Sequence, residues 1–169
     1  ICPVNIVLNK FAEDLGKKYD ENGNIAKSGI VDTEVLEKLN NLDFYTLQPP
    51  KSLGVEWVNE LVFPLLERIS TEDALATFTH HAAEKIAEIA NQFALKNILA
   101  TGGGVYNEFL ISLVKEKTST EIVVPEKSII DFKEALIFAF MGVLRINNEI
   151  NVLSSATGSL EDHCSGLLL

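Results

Sequence analysis

One junction near the middle of the chain limits what it can fold into more than any other feature. Residues 98–100 are apolar and predict a short buried strand, three glycines follow at 102–104, and apolar side chains then return at helical spacing. Glycine has no Cβ, so this backbone can adopt positive φ values and a ligand can approach it closely. The start of the following helix also offers unpaired N–H groups to an anion. The junction therefore favours a nucleotide-binding turn, although a turn used only for close packing has the same pattern.

Two common phosphate-binding motifs can be compared with this junction. A P-loop ends in Gly-Lys-Ser or Gly-Lys-Thr, and the sequence contains neither string, which excludes that motif. The dinucleotide-binding fingerprint matches in part, because a β-prone run at 122–124 and then Glu126 follow the glycines. Asn107 stands where that fingerprint needs a third Gly or Ala, so it breaks the pattern.

Length and charge narrow the class of protein. A chain of 169 residues is long enough for one domain, or for one lobe of a larger protein, with a sizeable core. Its 24 acidic and 14 basic side chains give a net charge of −10 without a basic cluster, which makes nucleic acid and anionic membranes poor partners. The sequence shows no apolar run long enough to span a membrane and no signal peptide, so we expect a cytoplasmic protein.

No pattern in the sequence predicts a metal site. His80 and His81 are adjacent on a predicted helix, so their side chains diverge and cannot bind one ion together; a packing or solvent-facing role is expected. The segment 20–24 begins like a calcium loop but lacks the glycine and the glutamate that such a loop requires, so it predicts a plain turn. Cys2 and Cys164 have no paired spacing, and we expect both to be reduced thiols.

Apolar spacing and capping residues predict a helix-rich α/β protein. Asp32 and Ser70 are typical of the residue before a helix, and Pro64 is expected to bend the helix that contains it. Helices are predicted at 6–18, 33–41, 53–69 and 132–146, with the longest running from Ser70 or Thr71 to about Phe93, and strands at 98–100 and 121–125. A helix connects the two strands, so we expect a parallel pair within one compact unit. Pro49 and Pro50 predict a rigid corner, and residues 160–169 are expected to be poorly ordered.

Glu134 is unusual within the last predicted helix. Residues 132–146 are apolar nearly all round, which predicts a helix that lies deep in the fold. A carboxylate at the start of such a helix is costly unless the helix dipole or a ligand stabilises it. Glu134 is therefore a candidate ligand-binding residue, and an N-terminal partner of the helix dipole is the alternative.

Six short motifs occur along the chain in an order that resembles one known family. They lie at 2–5, 19–29, 49–54, 101–107, 133–135 and 157–158, and the fourth of them is Thr-Gly-Gly-Gly-Val-Tyr-Asn. In this order they resemble the C-terminal half of the anhydro-N-acetylmuramic acid kinases, which belong to the sugar kinase, Hsp70 and actin superfamily. The resemblance covers the chain almost from end to end. It implies one lobe of a ribonuclease-H-like, actin-like ATPase fold, helix-rich with a small, partly parallel sheet.

The resemblance also implies a function. Such an enzyme uses ATP with Mg²⁺ to open the 1,6-anhydro ring of a murein-derived amino sugar while it phosphorylates the 6-oxygen, in peptidoglycan recycling. By the same resemblance, Glu134 would face the sugar and Asn5 would lie near the catalytic loop. The adenosine side would be lined by Gly102, Gly103, Gly104 and Asn107.

The sequence departs from the family pattern at its start. Ile1, Cys2 and Val4 stand where the family has Thr, Gly and Gly, and the family's catalytic aspartate would immediately precede Ile1. We therefore expect residues 1–169 to be the C-terminal, adenosine-side lobe of a two-lobed sugar kinase, without the N-terminal lobe and without a catalytic residue of its own. Phosphoryl transfer depends on positioning within a complete cleft, so this lobe alone is expected to be inactive.

The expected partners follow from the same reasoning. They are the amino sugar, ATP, the N-terminal lobe and a second copy of the chain, because an uncovered apolar face favours self-association. Two alternatives stay open. One is a stand-alone nucleotide-binding or regulatory module without catalysis. The other is a structural α/β interaction domain, in which Gly103→Val would lower stability but no ligand affinity would exist to lose.

Overall fold

The computed structural model describes residues 1–48 and 51–167, and these separate into two units. Unit 1 comprises Ile1–Leu47 and Leu53–Pro125, and unit 2 contains the other described residues. The prediction of one compact unit is therefore wrong. Both clusters of buried apolar side chains consist of unit 1 residues. The predicted corner at Pro49 and Pro50 lies outside the described residues.

Unit 1 is built mainly from helices that begin close to the predicted positions. Asp32 accepts a hydrogen bond from Val35 N at 2.9 Å and Ser70 accepts one from Asp73 N at 3.2 Å, so both residues cap helices as predicted. The helices are α1 (Asn5–Asp14), α2 (Asn24–Ser28), α3 (Thr33–Asn40), α4 (Val55–Trp57), α5 (Phe63–Leu66), α6 (Thr71–Gln92) and α7 (Glu108–Lys117). The interruption expected near Pro64 is a wider helical turn at Val58–Val62, which joins α4 to α5.

The longest helix, α6, lies at the centre of unit 1 and packs against α1, α2, α3 and α7. Large side chains such as Leu75 and Phe78 are fully buried on it. Farther along, Ala82 and Ala83 are also fully buried, and their small size lets α7 approach closely. Phe93 was expected to extend this buried stripe but is 64% exposed, because α6 ends one residue before it.

A two-stranded parallel sheet flanks α7 in the sequence. Strand β1 (Asn97–Leu99) pairs with β2 (Glu121–Val123), and Ile98 lies opposite Ile122. The crossover through α7 accounts for the predicted parallel direction. The strands are not buried as expected, since Leu99 is 62% exposed. Side chains alternate between the two faces of a strand, and the face that carries Ile122 packs against the core between α6 and α7.

Unit 2 contains the helices α8 (Lys127–Ile146) and α9 (Ser154–Thr157). Helix α8 is apolar nearly all round, yet only Ile130 among its residues is buried, and Phe138 is 70% exposed. The prediction of a deeply buried helix is therefore wrong. A helix of this composition needs neighbours on every side, and the described residues of this chain do not supply them.

The segment after α8 has hydrogen-bonded structure. Val152 and His163 form an antiparallel bridge. The side chain of Asn151 donates to Ser165 O at 2.9 Å and accepts from Ser165 N at 2.8 Å. The poorly ordered tail predicted from residue 160 onwards is therefore held by specific contacts as far as Gly166, whose carbonyl oxygen accepts from Arg145 Nε at 2.7 Å.

Candidate functional site

The glycine turn, residues 102–104, lies between β1 and α7. Gly102 has φ +79° and ψ 175°, a conformation that other residues rarely adopt, so this position requires glycine. The residues Gly103–Tyr106 form one short helical turn, in which Val105 N donates to Gly102 O at 3.1 Å. The glycine turn therefore presents bare backbone at the carboxyl end of a parallel strand, where α/β proteins bind ligands.

The side chain of Asn5, at the start of α1, lies against the glycine turn. A Cβ added to Gly103 would lie 3.2 Å from Asn5 Nδ2, and one added to Gly104 would lie 3.4 Å from Asn5 Oδ1. The absence of side chains at these two positions therefore leaves room for the Asn5 amide. Asn5 is exposed, and no residue in the described part of the chain hydrogen-bonds its side chain. The fold thus brings a predicted site residue from the start of the chain to the glycine turn, with a donor and an acceptor available to a ligand.

Asn107 has a structural position beside the same turn. Its Oδ1 atom accepts a hydrogen bond from Leu110 N at 2.9 Å, which caps α7, and the residue is only 8% exposed. A Cβ added to Gly23 would overlap Asn107 Oδ1, so the loop that contains Gly23 packs directly on this cap. Asn107 therefore fixes the start of α7 next to the glycine turn.

Two pockets of similar size open beside the glycine turn, and Asn5 and Gly103 line both of them. The first, called the polar pocket here, has a volume of about 510 Å³ and is lined by Asn5, Leu8, Asn9, Tyr19, Asp20, Glu21, Asn22, Gly103, Tyr106 and Asn107. The second, the apolar pocket, has a volume of about 500 Å³ and is lined by the glycine turn together with apolar side chains of β1 and β2. Both volumes are in the range of small-molecule sites.

The loop between α1 and α2 forms one wall of the polar pocket. Asp20 is buried and accepts hydrogen bonds from Ile25 N and Ala26 N, both at 2.9 Å, which ties this loop to the start of α2. Tyr19 and Glu21, on either side of Asp20, line the pocket and are exposed. The sequence predicted only a plain turn here, and the motif at 19–29 was its one indication of a functional segment. The hydrogen bonds of Asp20 fold this loop, and the folded loop decides which side chains of the motif reach the pocket.

Glu134 lies in unit 2 and is exposed on α8. The helix begins at Lys127, so Glu134 is its eighth residue and lies beyond the first turn, where the helix dipole acts. Both physical reasons for singling it out, a buried carboxylate and a dipole partner, are therefore wrong. Its contact with a sugar stays a prediction that rests on the family resemblance.

A partly buried polar network joins α3, α6 and α7. The amide oxygen of Asn40 can only accept, so Nδ1 of His81 carries the proton and donates to Asn40 Oδ1 at 2.7 Å. Nε2 of the neutral ring is then an acceptor, and the hydroxyl of Tyr45 donates to it at 2.8 Å. Asn40 Nδ2 donates to Glu84 at 2.7 Å, and Lys117 donates to the other oxygen of Glu84 at 3.0 Å. Every polar group of this chain of contacts has a protein partner, so the network holds helices together.

The pKa values in the network agree with a structural role. Burial, aided by the charge of Lys85, lowers the pKa of His81 from its usual 6.5 to about 4, so the ring is neutral at neutral pH. Burial alone would raise the pKa of Glu84, but hydrogen bonds from Asn40 and Lys117 hold it below its usual value. The predicted packing role is therefore confirmed for His81.

Three further findings concern metal ligands, membrane-spanning helices and the two cysteines. Within 1–48 and 51–167, no group of three or more His, Cys, Asp and Glu side chains is arranged to hold a metal ion. None of the helices in the same ranges has both the length and the hydropathy needed to cross a membrane. Cys2 and Cys164 are free thiols, and burial raises the pKa of Cys2 to about 11, so this residue stays protonated beside the apolar pocket.

The sequence matches the model of one protein family over nearly its whole length. That family is described as anhydro-N-acetylmuramic acid kinase, and its model matches residues 1–168. This chain belongs to the anhydro-N-acetylmuramic acid kinase family. The membership confirms the resemblance that the six motifs indicated, and the glycine turn is one of those motifs.

Curated relatives carry the same name. An anhydro-N-acetylmuramic acid kinase of Francisella tularensis subsp. novicida is 32% identical over 93% of this chain, and 44% of the relative is covered. The kinase of Haemophilus influenzae is 31% identical over 93% of this chain and 47% of the relative. The kinase of Bacillus cereus strain B4264 is 34% identical over 93% of this chain, and 44% of the relative is covered. The chain thus spans somewhat less than half the length of these relatives.

Proposed function

We propose that residues 1–169 form the C-terminal, adenosine-side lobe of an ATP-dependent kinase that phosphorylates anhydro-N-acetylmuramic acid. The family match over residues 1–168 carries this proposal, and the names of the relatives supply the substrate. Since 44% of the Francisella kinase is covered, a second lobe in the whole enzyme is consistent with the comparison. The parallel strands with their helical crossover suit a lobe of an actin-like ATPase fold.

In this proposal the nucleotide lies against the glycine turn. Backbone without side chains at Gly102, Gly103 and Gly104 allows close approach of the nucleotide, and the Asn5 amide beside it can donate and accept hydrogen bonds. Asn107 contributes by holding the start of α7 in place. Mg²⁺ would arrive with the phosphates of ATP and neutralise their charge during transfer.

The overall reaction assigns roles to the site residues that the resemblance implies. Water adds to the anomeric carbon, the bond from that carbon to the 6-oxygen breaks, and the 6-oxygen takes the γ-phosphoryl group of ATP, leaving ADP. Asn5 would lie near the reacting end of the nucleotide, and Glu134 would bind the sugar. The family's catalytic aspartate would activate the water. This reaction belongs to peptidoglycan recycling in the cytoplasm.

The chain alone is proposed to be inactive. Phosphoryl transfer depends on holding both substrates in one geometry, and this chain corresponds to less than half of its relatives. A coupled assay for ADP release, with anhydro-N-acetylmuramic acid and ATP, should give no rate above background for the 169-residue chain. Sugar-dependent turnover by the purified chain would contradict this part of the proposal.

A titration with ADP tests nucleotide binding directly. With the chain labelled by ¹⁵N, amide shifts at residues 102–104 and at Asn5 should saturate even if the dissociation constant is about 1 mM, which corresponds to about 4 kcal/mol. Gly103→Ala places a methyl group 3.2 Å from Asn5 Nδ2, at the end of an exposed side chain that can shift, so it should weaken ADP binding about fivefold or more while the chain stays folded.

The matched control is Gly142→Ala. Gly142 lies in α8 with nothing near the added methyl group, so this variant should leave ADP affinity unchanged. If ADP shifts no amide at concentrations of several millimolar, the proposed nucleotide site is wrong for this chain. Binding without any activity, even when the N-terminal half of a relative is supplied, would favour the stand-alone module.

A further inference from the structure

The polar pocket contains hydrogen-bonding groups that the fold does not use. Asp20 and Asn107 are occupied by backbone N–H groups. Within the described part of the chain, no residue hydrogen-bonds the side chains of Asn5, Asn9 or Glu21, which line the same pocket. Three side chains from two separate segments therefore converge on one space with their donors and acceptors available. This arrangement is typical of a site for a polar ligand.

The charge of the polar pocket indicates which kind of group it can bind. Its acidic side chains are Asp20 and Glu21, and its lining within the described residues includes no Lys or Arg. A phosphate group there would face charges of its own sign without compensation. A neutral group with several hydroxyls suits the pocket instead, because a carboxylate is a strong acceptor for hydroxyl donors.

Two aromatic rings complete the lining of the polar pocket. Tyr19 is 54% exposed and Tyr106 is 44% exposed, so part of each ring is open to solvent at the pocket. Flat, partly exposed rings of this kind provide surfaces for a heteroaromatic base. The pocket therefore combines acceptors for hydroxyls with apolar surface for a base.

We propose that the polar pocket binds the nucleoside part of the nucleotide, with Glu21 accepting hydrogen bonds from the ribose hydroxyls and thereby selecting ribonucleotides. This inference rests on the proposed kinase function. Gly103 and Asn5 line the pocket on the side of the glycine turn, so the phosphates extend from the nucleoside towards that turn and away from Glu21. Acidic side chains bind ribose hydroxyls in the same way in dinucleotide-binding folds.

The experiment compares ADP with 2′-deoxy-ADP on the ¹⁵N-labelled chain. ADP should shift the amides of Glu21 and Asn22 together with those of the glycine turn, and it should bind about tenfold more tightly than 2′-deoxy-ADP, since a hydrogen bond to a charged group is lost. Glu21→Gln should reduce ADP affinity and bring the ratio between the two nucleotides close to one. Glu13→Gln is the matched control, because Glu13 is also exposed but lies on α1 outside the pocket lining.

Different outcomes separate this inference from the proposed function. If ADP shifts residues 102–104 but Glu21→Gln leaves the ratio of the two affinities unchanged, the ribose role of Glu21 is wrong and nucleotide binding stands. If anhydro-N-acetylmuramic acid, and not ADP, shifts Glu21 and Asn22, the pocket is a sugar site and the inference is overturned. If ADP shifts no amide at all, both proposals fail together.

Discussion

Gly16 and Gly23 have nearly the same backbone conformation, with φ of +71° and +75°, but very different surroundings. A Cβ on Gly23 would overlap Asn107 Oδ1 and lie 2.7 Å from Phe109 Cβ, whereas nothing lies within 4 Å of a Cβ on Gly16. Comparing the two positions therefore separates the cost of the left-handed backbone from the cost of close packing.

We expect Gly16→Ala to lower the free energy of unfolding by about 1 kcal/mol, from backbone strain alone. Gly23→Ala should cost about 3 kcal/mol, because it adds a clash with the cap of α7 to the same strain. Urea denaturation followed by circular dichroism measures both values. Equal losses at the two positions would show that the loop can move away from Asn107, and would remove the basis for a fixed wall of the polar pocket.

The buried His81 predicts how stability depends on pH. Its pKa is about 4 in the folded chain and near 6.5 when unfolded, so below pH 6.5 the unfolded state binds a proton that the folded state does not. Its contribution to stability is present above pH 6.5 and is lost as the pH falls towards 4. The full loss corresponds to roughly 3 kcal/mol.

Urea denaturation at several pH values between 4 and 7 measures this dependence. His81→Gln should flatten most of the slope, because the amide keeps hydrogen-bonding groups but does not titrate. His80→Gln is the neighbouring control; burial lowers the pKa of His80 too, but this residue is only partly buried, so a smaller change is expected. An unchanged slope in His81→Gln would contradict the assignment.

At the scale of elements, the start of α7 combines stability and function. Asn107→Ala removes the cap and should destabilise the chain by about 1 kcal/mol, whereas Asn107→Asp keeps an acceptor for Leu110 N and should retain most of the stability. Thermal unfolding by circular dichroism measures both. If Asn107→Asp binds ADP as the unchanged chain does, Asn107 acts through the helix start; a loss of ADP binding in that stable variant would instead indicate direct contact with the nucleotide.

The elements also differ in how well local sequence predicts them. Helices α3 and α6 begin where Asp32 and Ser70 predict, because capping involves only neighbouring residues. The burial of α8 could not be predicted in this way. Composition indicates that a helix has apolar sides, but burial requires other elements to cover those sides. On α8 these sides are left open to solvent, since Phe138 and Phe140 are 70% and 60% exposed.

At the scale of the whole molecule, the exposed surface of α8 predicts self-association. Six large apolar side chains on it are each more than half exposed, at 67, 60, 70, 60, 54 and 67%: Phe132, Leu136, Phe138, Phe140, Val143 and Ile146. Phe132, Leu136, Phe140 and Val143 follow helical spacing and so share one face of α8, and exposed apolar surface of this kind favours association. Sedimentation velocity should therefore detect a dimer or weak larger species at concentrations of tens of micromolar.

A variant and a control test this assignment. Replacing Phe138 and Phe140 with Ser should shift the chain towards the monomer, while Phe93→Ser, which removes a side chain of similar exposure in unit 1, should not. A clean monomer at high concentration in the unchanged chain would contradict the prediction.

The sequence by itself determined the starts of α3 and α6, the parallel direction of the strands, the glycine turn and the family. These properties depend on residues close together in the chain or on the order of short motifs, so sequence patterns predict them. Only the tertiary structure placed Asn5 against Gly103, brought Tyr19 and Glu21 into the polar pocket, and left α8 exposed. A pocket joins side chains from segments far apart in the sequence, and burial depends on what covers a surface, so neither can be deduced from local pattern.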